Sequence, residues 1–103
     1  MTPREILMVF TAGWLGGLGA LSALNLHASA AERMVGLAEA VAAVFWFPPK
    51  TRTFGFGAML AVLAVAAVHH LMAGSLPGAV IFYAAVVLYL TIEEARSRQP
   101  PAA

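Results

Sequence analysis

The sequence predicts an all-α membrane protein, built as a four-transmembrane-helix antiparallel bundle with both termini in the cytoplasm. Three observations lead to this fold class. Of the 103 residues, 61% are hydrophobic and only 11% are charged, whereas soluble domains carry about 25% charged residues. The apolar residues form four stretches that are separated by short polar, glycine-containing or proline-containing segments. The basic residues collect on one side of this arrangement, as they do in membrane proteins.

Composition also argues against several functional classes. The net charge is only +1 and no basic stripe is present, so a nucleic-acid-binding surface is not expected. The absence of cysteine excludes disulfides, thiol chemistry and cysteine-ligated metals. No phosphate-binding loop, dinucleotide fingerprint or Ser-His-Asp pattern occurs, so nothing in the sequence indicates an enzyme.

The first and third apolar stretches predict helices over residues 6–24 and 54–73. Each has about 20 residues, the length that a helix needs to cross a hydrocarbon core of about 30 Å. Inside lipid only helices and closed barrels satisfy their own backbone hydrogen bonds. Residues 74–78, which contain two glycines and Pro77, predict the turn that follows the third helix.

The second and fourth stretches predict helices over residues 29–47 and 79–94. Ser29 and Glu32 fit a capping box at the start of the second helix, and Pro48 and Pro49 end it. The apolar parts of these two helices are short enough for a buried helix of a soluble protein, but their position between two long spans favours spanning. Residues 1–94 are therefore one membrane domain, and residues 95–103 are predicted to be a disordered cytoplasmic tail.

Four spans place both termini and the 48–53 loop on the same side of the membrane. Arg33 is the only basic residue on the opposite side. The positive-inside rule assigns the basic side to the cytoplasm, which we interpret as the inner face of a bacterial inner membrane. Five residues make up this basic side: Arg4, Lys50, Arg52, Arg96 and Arg98.

Gly13 and Gly17 form a GxxxG pair in the first predicted helix. In lipid, such small residues let two helix backbones approach closely. We interpret the pair as a helix-packing face within the chain. A homodimer face and a groove for a flat ligand are the alternatives.

Glu39 interrupts the apolar part of the second predicted helix. A carboxylate at the centre of a membrane costs at least about 2.5–3.5 kcal/mol on insertion scales, so its side chain is expected to face the interior of the bundle. Two interpretations stay open. Glu39 is either a neutral carboxyl hydrogen-bonded to a backbone or hydroxyl group, or a group that handles protons or binds a ligand.

A second group of polar residues is expected at the outer end of the bundle, where His69 and His70 lie near the end of the third helix. A rise of 1.5 Å per residue places Glu32 level with the histidines and Glu39 roughly 10 Å deeper. Three histidines and a carboxylate are able to bind a transition metal, but His27 lies in a loop and no pair has i,i+4 spacing. We therefore predict no metal site. The histidines are then either solvated by water and lipid headgroups or part of a site for a quinone headgroup or similar ligand.

Several short motifs resemble the DoxX-like family of small four-helix membrane proteins, over most of residues 5–92. They are Gly-Leu-Ala-Glu at 36–39, Pro-Lys-Thr-Arg-Thr-Phe-Gly at 49–55, Ala-Ala-Val-His at 66–69 and Phe-Thr-Ala-Gly at 10–13. The resemblance implies four helices with cytoplasmic ends, and links to quinone or thiosulfate redox chemistry or to the assembly of larger complexes. Many members of the family carry a lysine shortly after the glycine of the first helix, where this chain has residues 14–18 without one. An activity that needs a lysine–carboxylate pair is therefore not expected.

Three functional hypotheses follow. The preferred one is a non-catalytic accessory or assembly subunit, bound to a membrane-protein partner or to a second copy, because the chain has few reactive groups and no cofactor motif. The second is a quinone-binding membrane subunit of a redox complex, with quinone or lipid as the bound molecule. The third is an oligomeric transporter of small molecules or ions. The predicted ligand-binding residues are Glu39, His69, His70 and Glu32.

Overall fold

The computed structural model describes residues 2–98, which form four helices: α1 (Pro3–Leu24), α2 (Ala30–Val44), α3 (Arg52–Met72) and α4 (Gly78–Arg98). Helix α1 packs on α2, α2 packs on α3 and α3 packs on α4. The beginning of α1 also contacts the end of α4, because Arg4 donates a hydrogen bond to the carbonyl oxygen of Glu93 at 3.2 Å. Neighbouring helices therefore run antiparallel, and the all-α prediction is confirmed.

Helix α1 begins three residues before its predicted start because its first turn is capped. The Thr2 hydroxyl accepts a hydrogen bond from the backbone N–H of Glu5 at 3.2 Å. Pro3 occupies the first turn, where the N–H that it lacks would have had no partner in any case. Helix α3 also begins earlier than predicted, at Arg52 rather than at residue 54.

Helix α2 has 15 residues, roughly 22 Å at 1.5 Å per residue, and is shorter than the predicted 29–47. Ser29 is the N-cap, as predicted, and its hydroxyl accepts from the backbone N–H of Glu32 at 3.2 Å. At the other end, Trp46 and Phe47 donate to carbonyls three residues back, which is a tighter turn than an α-helix. Pro48 disfavours the helical conformation in the residue before it, and the chain leaves the helix with the Trp46 side chain fully buried.

Helix α4 continues to Arg98, past the predicted end at Glu94. Polar side chains stabilise this extension: the Ser97 hydroxyl donates to the carbonyl of Glu94 at 2.8 Å, and Arg96 pairs with Glu93 at 3.3 Å. Residues 95–98 are therefore helical and do not belong to a disordered tail. The remainder of the predicted tail, residues 99–103, lies outside the described residues.

Within residues 2–98, three helices are long and apolar enough to cross a membrane: Pro3–Leu24, Arg52–Met72 and Gly78–Ser97. In the most apolar 18-residue stretch of each helix, only 28%, 28% and 17% of the residues are buried inside the protein. Most of this apolar surface therefore faces outward. Soluble monomers rarely expose apolar patches larger than a few hundred Å², whereas lipid covers such surfaces. The structure is therefore that of a helical membrane protein. A fourth span through α2 and the orientation of the termini stay predictions.

The core of large side chains lies at the end of the bundle that carries the α2–α3 loop, named here the basic end. The buried rings of Trp46 and Phe56 meet edge to face, with centroids 4.9 Å apart. The opposite end, named here the histidine end, has the small Ala66 as a buried position and opens into a cleft. The other large members of the core are Met8, Leu15, Met59, Leu63, Val87 and Leu90.

Candidate functional site

A cleft of about 370 Å³ opens at the histidine end, and residues from all four helices line it. This volume is at the lower end of the range for small-molecule sites, about 300–1,000 Å³. Its polar lining consists of Ser22, Glu32, Glu39, His69 and His70, and its other lining residues are Val35, Gly36, Ala66, Ala73 and Val80.

The structure brings the four sequence-predicted ligand-binding residues, Glu32, Glu39, His69 and His70, to this one cleft. The cleft runs along α2 from Glu32 to Glu39, about two helical turns or roughly 10 Å, so it includes both of the predicted levels. Glu39 is half-buried, whereas Glu32 and the two histidines are exposed. The cleft therefore has an exposed polar mouth and one half-buried carboxyl farther along α2.

The position of Glu39 depends on a close crossing of α1 and α2. A Cβ atom built on Gly36 would lie 2.6 Å from the carbonyl oxygen of Gly19 and 2.7 Å from the Cβ of Ser22. A Cβ built on Gly19 would lie 2.9 Å from the Cβ of Glu39. These separations are shorter than side chains tolerate, so glycine at both positions lets the two backbones touch. Ser22 and Glu39, which lie next to these two glycines at the crossing, both line the cleft.

Gly13 and Gly17, which were expected to pack within the chain, do not lie at this crossing. A Cβ atom added to either would meet nothing within 4 Å among the described residues. Positions 16 and 19 face α2 instead, as a contact of 3.1 Å between a Cβ added to Gly16 and the Cβ of Ala43 indicates. The expectation of packing within the chain is thus corrected, while the alternatives of a second copy and a flat ligand stay predictions. Gly36, the only glycine of α2, was the signal that could have located the crossing.

His70 is oriented by the turn that ends α3. Gly74 has a φ of +80°, a left-handed conformation that glycine adopts without strain. The N–H of Ser75 donates to the carbonyl of His70 at 2.9 Å and that of Gly74 to the carbonyl of Leu71 at 3.0 Å, which is a Schellman motif. The motif places the Ser75 hydroxyl against His70.

The hydrogen bonds of the Ser75 hydroxyl favour one tautomer of a neutral His70 ring. This hydroxyl donates to the carbonyl oxygen of His70 at 3.1 Å, and its oxygen lies 3.2 Å from Nδ1. A hydroxyl has one proton to donate, so Nδ1 donates to Oγ. The neutral His70 ring then keeps Nε2 as a hydrogen-bond acceptor for a ligand.

The rings of His69 and His70 point in different directions, with centroids 6.4 Å apart and planes at 74° to each other. Within residues 2–98, no group of three histidine or acidic side chains is close enough together to hold a metal ion. The polar groups are spread around the cleft, and this spacing suits a ligand of several atoms better than a single ion.

The other polar residues of the histidine end have different roles. Arg33 donates from Nε to a carbonyl at the end of α1 at 2.9 Å, and the backbone N–H of His27 donates to the side chain of Asn25 at 3.0 Å. Neither residue lines the cleft. On α4, the Tyr83 hydroxyl accepts from Trp14 Nε1 at 2.6 Å, so this tyrosine joins α4 to α1.

Comparison with models of known protein families, with curated proteins and with solved structures gives no match to this chain. The resemblance to the DoxX-like family therefore stays a prediction from short motifs.

Proposed function

We propose that this chain is a non-catalytic membrane subunit that holds a quinone, or a similar flat molecule with polar oxygens, in the histidine-end cleft. The observation that carries the proposal is the convergence of Glu32, Glu39, His69 and His70 on one cleft in a largely apolar chain. Polar groups are costly at membrane depth and tend to mark functional sites there.

The chemistry of the cleft matches the two ends of a quinone headgroup. Nε2 of His70 accepts a hydrogen bond from a quinol hydroxyl, while an N–H of His69 or a protonated Glu39 donates to a quinone oxygen. Val35 and Val80 supply apolar contacts for the ring. A few convergent polar groups in an apolar wall are typical of sites that orient a small ligand.

A partner protein supplies the electron transfer in this proposal. Quinone chemistry needs a second redox group, and the sequence has no motif for binding one. The outward side of α1 supports an accessory role, because Gly13 and Gly17 are uncovered by the described chain and small residues let another helix approach closely. By the positive-inside rule, the basic end lies in the cytoplasm and the cleft at the outer side of a bacterial inner membrane.

Ligand retention tests the proposal. Protein purified in a mild detergent is expected to yield quinone on solvent extraction, measured by its ultraviolet absorbance. Glu39→Ala and His69→Ala each remove a hydrogen-bonding group, and they are expected to lower the amount retained about tenfold, because a lost hydrogen bond to a buried polar group costs roughly 1–3 kcal/mol. His27→Ala is the matched control, since it removes a histidine from the same end without touching the cleft. Equal retention by all four proteins would reject the proposal.

A further inference from the structure

A continuous apolar groove runs along the outside of α2 and α3. It consists of two adjoining hollows, of about 430 and 410 Å³, that share Met34, Ala38 and Val62. From Ala31 to Phe45 the groove follows α2 for roughly 21 Å. Every side chain that lines it is apolar. Its end at Ala31 adjoins the histidine-end cleft, with which it shares Val35, whereas its end at Phe45 lies at the basic end.

The shape of the groove suits an extended chain. Small side chains, those of Ala38, Ala58 and Ala61, line it. Larger residues on the same two helices are turned outward, with Met34 71% and Phe54 65% exposed. A lining of alanines between large, exposed side chains leaves space for a flexible hydrocarbon chain that lies parallel to the helices.

The groove ends at the α2–α3 loop, where two basic residues lie, and only one of them has an ion-pair partner within residues 2–98. The rings of Phe45 and Phe54 meet edge to face at this end, 5.5 Å apart, and the loop between them contains Lys50 but no acidic residue. Arg52 donates to two carbonyls at the end of α2 and lies 3.8 Å from Glu94, so its charge is compensated. Lys50 is exposed and forms no ion pair within residues 2–98.

We propose that this groove binds an anionic phospholipid, with one acyl chain along the alanines and the phosphate beside Lys50. The charge supports this occupant over a neutral one, because basic groups at the end of a groove between membrane helices attract anionic headgroups. The proposed phosphate position beside Lys50 lies at the basic end, opposite the histidine-end cleft, and it does not depend on the proposed quinone.

Native mass spectrometry of the detergent-purified protein tests the charge. Dioleoyl phosphatidylglycerol and dioleoyl phosphatidylcholine are added separately, and the preference is the ratio of the two bound fractions. The unmodified protein is expected to prefer phosphatidylglycerol, and Lys50→Gln to lower this preference about fivefold, the effect of one basic residue near the membrane surface. Arg96→Gln is the control, because it removes a positive charge at the same end from a side chain of α4 that is 71% exposed. It should leave the preference unchanged.

A second pair of variants tests the groove itself. Ala58→Phe fills it and is expected to lower the binding of both lipids, whereas Ala64→Phe places the same bulk on an exposed position of α3 that does not line the groove. Circular dichroism and gel filtration check folding, and if Ala58→Phe does not fold, Lys50→Gln decides the question. An unchanged preference in Lys50→Gln overturns the proposal. The proposal is also overturned if the protein forms a dimer that only Ala58→Phe abolishes and shows no lipid selectivity. The groove is then a protein contact.

Discussion

Position 36 accepts no side chain, because the backbone of α1 lies against it. An added Cβ would lie 2.6 Å from the carbonyl oxygen of Gly19, and a backbone atom moves away only if the two helices separate. We therefore predict that Gly36→Ala lowers the free energy of unfolding by about 1–3 kcal/mol, the usual cost of overpacking. Thermal unfolding in detergent, followed by circular dichroism, measures the change.

Gly57→Ala is the matched control for this prediction. Gly57 also lies inside a helix, but a Cβ atom added there meets nothing within 4 Å in the part of the chain that the structure describes. Alanine is the better helix former by about 1 kcal/mol, so this variant is expected to be as stable as the original protein or slightly more stable. A Gly36→Ala protein with an unchanged melting temperature would mean that α1 and α2 do not cross at this point.

The residues that line the cleft could be predicted from the sequence more readily than the directions in which side chains point. Glu39 and His69 stood out because ionisable groups are rare and costly in an apolar chain. Gly13 and Gly17 gave no such guide, because a face toward lipid and a face toward another helix are both apolar. Ser75 could not be predicted as a partner of His70, since their contact depends on the left-handed turn at Gly74.

Arg52 joins three of the helices at the basic end. Its guanidinium donates to the carbonyl of Trp46 at 2.7 Å and to that of Phe47 at 3.0 Å, and it lies 3.8 Å from the carboxylate of Glu94. One side chain thus connects the end of α2, the start of α3 and the last turns of α4. Carbonyls at a helix end have no partner within the helix, so this contact satisfies groups that would otherwise stay unpaired.

We predict that Arg52→Lys lowers the melting temperature, because an ammonium group cannot reproduce the planar fork of donors that serves three acceptors together. Loss of hydrogen bonds to a charged group costs roughly 1.5–3 kcal/mol. Arg96→Lys, measured in the same thermal assay, should change little, because the Arg96–Glu93 pair is exposed and such pairs contribute about 0–1 kcal/mol. Equal melting temperatures for the two variants would contradict this role of Arg52.

The ends of the helices differ from their predicted positions for a physical reason. Hydropathy locates the residues that contact lipid, whereas hydrogen bonding determines where a helix begins and ends. Capping by Thr2 extends α1, and the polar contacts of Ser97 and Arg96 accompany the extension of α4. The existence and order of the four helices could therefore be predicted from apolar stretches, but their ends could not.

The topology of the whole molecule depends on α2. This helix is roughly 22 Å long, shorter than a hydrocarbon core of about 30 Å, yet Met34, Leu37 and Val44 are 71%, 57% and 64% exposed. An outward surface of this kind favours contact with lipid along its length. A short span is accommodated by local thinning of the bilayer, so we expect α2 to cross the membrane with the other three helices.

Because the sequence contains no cysteine, single cysteines report the side of the membrane directly. Leu26→Cys and Leu76→Cys probe the two histidine-end loops, where these leucines are 80% and 90% exposed. Lys50→Cys and Ser97→Cys probe the basic end. In right-side-out vesicles, a membrane-impermeant maleimide is expected to label the first pair at once and the second pair only after permeabilisation.

Each alternative topology gives a different labelling pattern. If α2 does not cross the membrane, the cysteines at positions 26 and 50 lie on the same side. Those at positions 50 and 97 also lie on the same side, because α3 and α4 both cross. Positions 26, 50 and 97 then react together. If all four helices cross in the opposite orientation, positions 50 and 97 react first. That result would retain the bundle but contradict the positive-inside assignment, and it would place the histidine-end cleft in the cytoplasm, where its ligand and partner would have to be sought.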